Sequence, residues 1–141
     1  MRLLPLLLVI LGCKKTPPAP PVAATGDCDR PEGMFGPVVI ADRSQRYGAN
    51  ITALASAQTS KAQPIEVCGV PEQLQWLTSA RCADGSVPFS SPGDAHAARS
   101  GSVGEGGRCG SIIDLYLVPC PEETYNVFMD LYVCAPGQSL Y

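Results

Sequence analysis

The sequence predicts an α+β fold that is mainly β: a small, disulfide-stapled domain with a C-terminal β-hairpin and one short helix. Three observations lead to this prediction. The chain has 141 residues, which suits a single domain. It contains seven cysteines, 14 glycines and 14 prolines, so cross-links and irregular backbone are expected. Near the C-terminus, residues 112–120 and 126–134 are two runs rich in strand-forming residues.

Composition and charge exclude several classes of protein. Hydrophobic residues make up 45% of the chain, which is too many for a wholly disordered protein. The formal net charge is −3, with only ten lysines and arginines. A nucleic-acid-binding protein needs a basic face to neutralise phosphates. Nucleic acid is therefore not expected as a partner.

The N-terminus has the composition of an export signal. Arg2 precedes an apolar run over residues 3–11, which is far shorter than the roughly 20 residues that span a bilayer. A single positive charge followed by a short apolar run is typical of a secretory signal peptide. We therefore assign residues 1–12 to a signal peptide.

Directly after this run stand Ile10, Leu11, Gly12 and Cys13. This motif resembles the lipobox of bacterial lipoproteins. The resemblance implies that Cys13 is acylated (palmitate and related chains) and becomes the first residue. No Asp follows Cys13, which by the same resemblance favours the outer membrane, with the domain facing the periplasm or the surface. Multiple acyl chains would anchor the protein stably.

Residues 14–27 contain four prolines and predict an extended tether. The folded domain is expected over residues 28–141. The cysteine count agrees with a lipid on Cys13, because seven is odd and an exported protein should not carry a spare thiol. The remaining six can form three disulfides in an oxidising compartment: Cys28, Cys68, Cys82, Cys109, Cys120 and Cys134.

Local patterns predict further elements inside the domain. Residues 37–41 and 65–68 read as short strands, while 50–60 fits a helix or a strand equally well. Pro71 is suited to the first turn of a helix, and Val70, Leu74 and Leu77 recur at helical spacing. The glycine- and serine-rich stretch 83–110 predicts a long surface loop.

Within the C-terminal hairpin, the odd-numbered positions are all apolar, so we expect them to share one buried face. A register that opposes Asp114 to Asp130 would bring like charges together. We therefore predict the register that opposes Asp114 to Tyr132 and Tyr116 to Asp130. The four polar residues then share the other face of the hairpin.

Distance along strands and helices limits the disulfide pairing. Two pairs are excluded: Cys109–Cys120, whose members lie at the two ends of one strand, and Cys120–Cys134, whose members lie at opposite ends of the hairpin. The pair Cys68–Cys82 is disfavoured because the helix lies between its members. Cys120 is then expected to pair with Cys28, Cys68 or Cys82, and Cys109 is open to Cys134 if the glycine-rich segment before Cys109 folds back.

Few residues offer catalytic chemistry. His96 is the only histidine, and its loop setting predicts a solvated side chain rather than a general base. The glycine-rich stretch 101–108 lacks the Lys and Ser or Thr of a phosphate loop. No cysteine pair has the spacing of a zinc site, and no Cys-x-x-Cys exists. We expect neither a metal nor a cofactor.

One cluster could form a site: Asp114, Tyr116, Asp130 and Tyr132. It could bind cationic or hydroxyl groups by carboxylates and aromatic stacking, or it could be a structural network of Tyr–Asp hydrogen bonds. The leading hypothesis is a non-catalytic, membrane-anchored module that binds an envelope protein or glycan or supports the envelope. The alternatives are a small exported hydrolase using Asp114 and Asp130 and a tethered inhibitor.

Overall fold

A computed structural model describes residues 28, 30, 36–40 and 43–141 of the chain. The predicted signal peptide, Cys13 and the tether lie outside these residues. The described part is α+β and mainly β, which confirms the predicted class. Its elements in chain order are β1 (Val38–Val39), β2 (Ile65–Glu66), α1 (Gly69–Ser79), α2 (Pro92–Ala97), β3 (Arg99–Gly106), β4 (Ser111–Pro119), β5 (Thr124–Asp130) and β6 (Val133–Cys134).

Most strands belong to one sheet of four, in the order β2-β5-β4-β3. β4 is antiparallel to both of its neighbours, whereas β2 runs parallel to β5. β1 and β6 form a separate parallel pair. No helix among the described residues is long and apolar enough to cross a membrane.

The two helices belong to the core that covers one face of the large sheet. α1 buries Trp76 and Leu77 in this core, and Val70, expected on its apolar side, is 36% exposed. The helix begins two residues before Pro71, with Cys68 as its N-cap residue. It ends at Ser79 because Ala80 is extended. The sheet contributes five buried side chains to the same core: Ile65, Tyr116, Val118, Val127 and Met129.

The predicted loop over residues 83–110 is wrong, because this segment contains α2 and β3. α2 starts with a local signal, since the Ser91 hydroxyl accepts a hydrogen bond from the backbone N–H of Asp94 and Pro92 follows. β3 has no alternating apolar pattern, and its register against β4 shifts twice. Pairing with β4, rather than its own side chains, makes this segment a strand.

The C-terminal hairpin is present, but its predicted register is wrong. Asp114 lies opposite Met129, and Ile113 lies opposite Asp130. β5 also ends at Asp130, and Tyr132 forms an isolated bridge with Cys68. The prediction assumed that only one face of the hairpin is buried. Near β2 both faces are covered, so apolar side chains of both parities become buried.

Three disulfides join distant parts of the chain. Their Cα atoms are 5.3, 4.7 and 5.6 Å apart, in the order Cys28–Cys109, Cys68–Cys134 and Cys82–Cys120. The two predicted exclusions, the disfavouring of Cys68–Cys82 and the reach of Cys120 back to an earlier cysteine are confirmed. The conditional Cys109–Cys134 pair does not form, because β6 leaves the hairpin and runs beside β1.

Candidate functional site

A cavity of about 390 Å³ opens beside β2. This volume lies in the range of small-molecule sites, and such sites are concave and mostly apolar with a few polar groups. Two oppositely charged side chains, Glu66 and Arg108, are among those that line it. The residues that line the cavity are Ser44, Gln45, Arg46, Tyr47, Gly48, Ile51, Ala62, Gln63, Pro64, Glu66 and Arg108.

Glu66 and Arg108 form a two-pronged ion pair at the cavity. Arg108 Nε donates to Glu66 Oε2 at 2.7 Å, and Arg108 Nη2 donates to Glu66 Oε1 at 2.6 Å. The Tyr47 backbone N–H also donates to Oε1, at 2.7 Å. The Glu66 side chain is 3% exposed and the Arg108 side chain 19%. This fork geometry fixes both side chains and gives the ion pair directional strength.

The Cys28–Cys109 disulfide lies beside this ion pair in the chain. Cys109 follows Arg108 directly, and Cys28 lies two residues before Arg30. Arg30 Nη2 donates to the Cys109 carbonyl oxygen at 3.2 Å and also to the Ser111 hydroxyl. The disulfide therefore holds two arginines against the end of the sheet.

Asp130 is the neighbour of Glu66 across the β2–β5 ladder. Its Oδ1 accepts the Tyr132 backbone N–H at 2.9 Å, while its buried Oδ2 has no hydrogen-bond partner among the described residues. Burial raises the pKa of Asp130 to about 6, and the adjacent Glu66 adds to the increase. The hydrogen bond from the Tyr132 backbone N–H, the nearby Ser111 hydroxyl and the charge of Arg30 act in the opposite direction. Asp130 is thus a buried acid with a raised pKa, beside Glu66 on the neighbouring strand.

Arg46, which also lines the cavity, belongs to a second ion pair. Arg46 is fully buried, and its Nη1 donates to Glu72 Oε2 at 2.9 Å. Arg46 Nη2 donates to Gln138 Oε1 at 2.7 Å, and Gln138 Nε2 donates to Glu72 Oε1 at 3.1 Å. This network ties the C-terminal segment to α1 and leaves Arg46 charge-balanced by Glu72.

The rim of the cavity requires a glycine. Gly48 has a φ of +68°, and a Cβ there would collide with the Ile65 side chain. The Gly48 carbonyl oxygen accepts the Trp76 indole N–H at 2.9 Å. The loop therefore turns sharply over β2 and is held to α1 of the core.

The predicted face of Asp114, Tyr116, Asp130 and Tyr132 does not form as a single surface. Asp114 is on the Met129 side of the sheet, whereas Asp130 is on the Ile113 side, because neighbouring residues of a strand point to opposite faces. The two carboxylates are therefore not a pair that could share one substrate. This result is a correction of the predicted arrangement.

Three members of that cluster do remain near one another. Arg99 Nη2 donates to Asp114 Oδ1 at 2.9 Å, and the Ser102 hydroxyl donates to the same oxygen at 3.0 Å. Tyr116 is 1% exposed, and burial, helped by the charge of Asp114, raises its pKa to about 12. Burial also raises the pKa of Tyr132. The partners of Asp114 are thus Arg99 and Ser102 of β3, not the tyrosines.

Neither His96 nor the cluster of Cys82, Cys120 and Glu122 forms a catalytic or metal site in the described structure. His96 is exposed on α2. The ligand atoms of Cys82, Cys120 and Glu122 lie within 4.8 Å of one another, but both sulfurs belong to a disulfide. A disulfide sulfur is not the thiolate that zinc requires.

Sequence reasoning missed Glu66 and Arg108. A signal for Glu66 was present: it is a carboxylate between Ile65 and Val67 in a short strand pattern. A buried charge of this kind needs a partner. Arg108 carried no comparable signal, because only the fold brings it next to β2.

Comparison with known proteins finds no similar one: no family model matches the chain, and neither a curated protein nor a solved structure matches it.

Proposed function

We propose that this protein is an exported, lipid-anchored binding domain of the bacterial cell envelope. Its binding site is the cavity beside β2. The observation that carries this proposal is the cavity itself: a concave volume of about 390 Å³ with the Glu66–Arg108 ion pair in its lining. A largely apolar cavity with a few oriented polar groups is the usual form of a small-molecule site.

The arrangement of charged groups favours binding over catalysis. Glu66 accepts three hydrogen bonds from Arg108 and Tyr47, so its oxygens are engaged and it is poorly placed to accept a proton from a substrate. Asp130 is fully buried next to Glu66 and does not line the cavity. The hydrolase alternative needs Asp114 and Asp130 together, yet they point to opposite faces of the sheet.

The anchor is supported by the cysteine pairing. All six cysteines from Cys28 to Cys134 are paired with one another, so Cys13 is left without a disulfide partner. In the proposed protein, Cys13 carries the lipid and residues 14–27 link it to the domain. At about 3.1 Å per residue, such a proline-rich tether reaches roughly 40 Å. The outer membrane is the proposed location, and an envelope component is the proposed source of the ligand.

Acylation is tested with the full chain expressed in bacteria supplied with an alkyne-tagged palmitate. We expect the tag on the wild-type protein and on Gly12→Ala, which keeps a small residue before Cys13. We expect no tag on Cys13→Ser. Intact-mass measurement should place the mature N-terminus at Cys13. The alternative is ordinary signal-peptide cleavage after Ala24, about a dozen residues beyond the apolar run, which would leave Thr25 as the first residue. An untagged wild-type protein, or a mature N-terminus at Thr25, would refute the anchor.

A further inference from the structure

We infer that the cavity takes a small molecule with an apolar body and one carboxylate, which accepts a hydrogen bond from Nη1 of Arg108. This inference rests on the proposed binding function and specifies its ligand class. Three observations carry it. Nη1 of Arg108 has no hydrogen-bond partner among the described residues, and several apolar residues line the cavity. The carboxylates of Glu66 and Glu72 are already bound by arginines.

Arg108 has one guanidinium nitrogen to spare. Nε and Nη2 are used by Glu66, and Nη2 also donates to the Gln45 carbonyl oxygen at 2.8 Å. Nη1 has no partner among the described residues, and it is not among the buried unpaired atoms. Nη1 is therefore accessible to solvent, and Arg108, whose side chain is 19% exposed, lines the cavity. A guanidinium fork already fixed on one side presents its remaining N–H groups in a defined direction.

The apolar residues that line the cavity favour an apolar body for the rest of the ligand. Ile51, Ala62 and Pro64 line the cavity together with the ring of Tyr47. The Tyr47 hydroxyl donates to the Gln58 carbonyl oxygen, so it is occupied. A ligand body without hydrogen-bonding groups would therefore lose no polar contacts when it displaces water from these walls.

The charges of the site disfavour a cation. Each Glu66 oxygen already accepts a hydrogen bond from Arg108, and Glu72 is bound to Arg46. No carboxylate that lines the cavity is left unpaired within the described structure, whereas one guanidinium nitrogen is. Phosphate is a poorer fit than carboxylate, because one nitrogen cannot satisfy three anionic oxygens.

The test uses the full chain with Cys13→Ser, its three disulfides formed, titrated with hexanoate, hexanol and hexylammonium. These probes share one alkyl chain and differ in charge. We expect saturable binding of hexanoate, about tenfold tighter than hexanol because its hydrogen bond is charge-assisted. Nuclear magnetic resonance should show the shifts at the amides of Tyr47, Gly48 and Gln63. Hexylammonium should bind more weakly than either.

Two variants localise the binding. Ala62→Trp should fill the cavity from its exposed rim and abolish hexanoate binding, while Ala97→Trp, on the exposed side of α2, should bind as the parent does. Arg108→Lys keeps the positive charge, but its ammonium group cannot form the two-pronged hydrogen bonds to Glu66 and also donate to the ligand. We therefore expect this variant to lose the preference for hexanoate over hexanol.

The outcomes separate the two proposals. Equal binding of hexanol and hexanoate, or a preference for hexylammonium, would overturn the carboxylate class and leave the cavity as the binding site. Binding that is unaffected by Ala62→Trp, or no binding of any probe, would overturn the ligand class and count against the cavity as well. Selective hexanoate binding that Ala62→Trp abolishes would support both.

Discussion

Glu66 and Asp130 are directly paired on neighbouring parallel strands, with exposed fractions of 2% and 0%. Two carboxylates in this relationship repel each other, and burial adds to the cost of charging them. Arg108 binds Glu66, and the charge of Arg30 favours the charged form of Asp130. The repulsion is thus offset by arginines that the Cys28–Cys109 disulfide holds at this end of the sheet.

The first prediction concerns pH. The folded-state pKa of Asp130 is about 6, above the ordinary value of 3.8. Above pH 6 the charged carboxylate destabilises the fold. As the pH falls from 6 towards 4, the folded state binds a proton that the unfolded state does not, so Asp130 contributes more stability. This increase in the free energy of unfolding should reach about 2–3 kcal/mol. Asp130→Asn should therefore be more stable than wild type at pH 7.5 and about equal near pH 4.

The measurement is urea unfolding of both proteins between pH 4 and 8. Wild type must be compared with Asp130→Asn, because other acidic groups lower the stability of both proteins as the pH falls. Hydrogen bonds from Ser86 and from the Ala83 backbone hold the pKa values of Asp84 and Glu122 below their usual range, so their stabilising effect is lost on acidification. Parallel pH curves for wild type and Asp130→Asn would contradict the assignment.

The second prediction concerns the Glu66–Arg108 pair. Arg108→Met leaves the Glu66 carboxylate buried without its fork, and we expect it to cost about 3–5 kcal/mol of unfolding free energy. Adding Glu66→Met removes the uncompensated charge, so the double variant should be more stable than Arg108→Met alone. A double-mutant cycle by urea unfolding measures the coupling. Additive single effects would show that the pair does not act as a unit.

The third prediction separates backbone strain from steric collision at the cavity rim. Gly48 and Gly85 both have positive φ values, +68° and +82°, but only at Gly48 does a Cβ meet other atoms. Gly85→Ala should cost about 1 kcal/mol, because only the left-handed backbone is penalised. Gly48→Ala should cost clearly more, since the Ile65 side chain must also move. Equal losses in melting temperature would contradict the close approach.

The fourth prediction concerns the disulfides. Peptide mapping under non-reducing conditions should find the pairs Cys28–Cys109, Cys68–Cys134 and Cys82–Cys120. Removal of any one pair by a double Cys→Ala variant should cost about 2–5 kcal/mol. The Cys28–Cys109 variant should in addition speed hydrogen exchange at the Tyr47 amide, which donates to Glu66, because Arg108 loses its support. The Cys82–Cys120 variant is the matched control, and an equal increase there would refute this link.

The sequence by itself determined the features that depend on neighbouring residues. The helix near Pro71, the two long C-terminal strands and the α+β class all follow from local patterns. The exclusion of a Cys120–Cys134 bond also held although the predicted register was wrong. In any register, one of these cysteines lies near the hairpin turn and the other at its open end, so the distance is too large.

Only the tertiary structure decided the register, the strand β3 and the candidate site. A strand alternates with a period of two, so an odd shift in pairing reverses the faces. The three-residue difference between the predicted partner of Asp114, Tyr132, and the observed one, Met129, moves Asp130 from the predicted polar face to a buried position beside Glu66. That choice depends on which faces other segments cover, and the segments are far apart: Glu66 and Arg108 are separated by 42 residues. Local propensity contains no information about such contacts, because they form when β2, the β3–β4 turn and the Cys28–Cys109 disulfide pack at one end of the sheet.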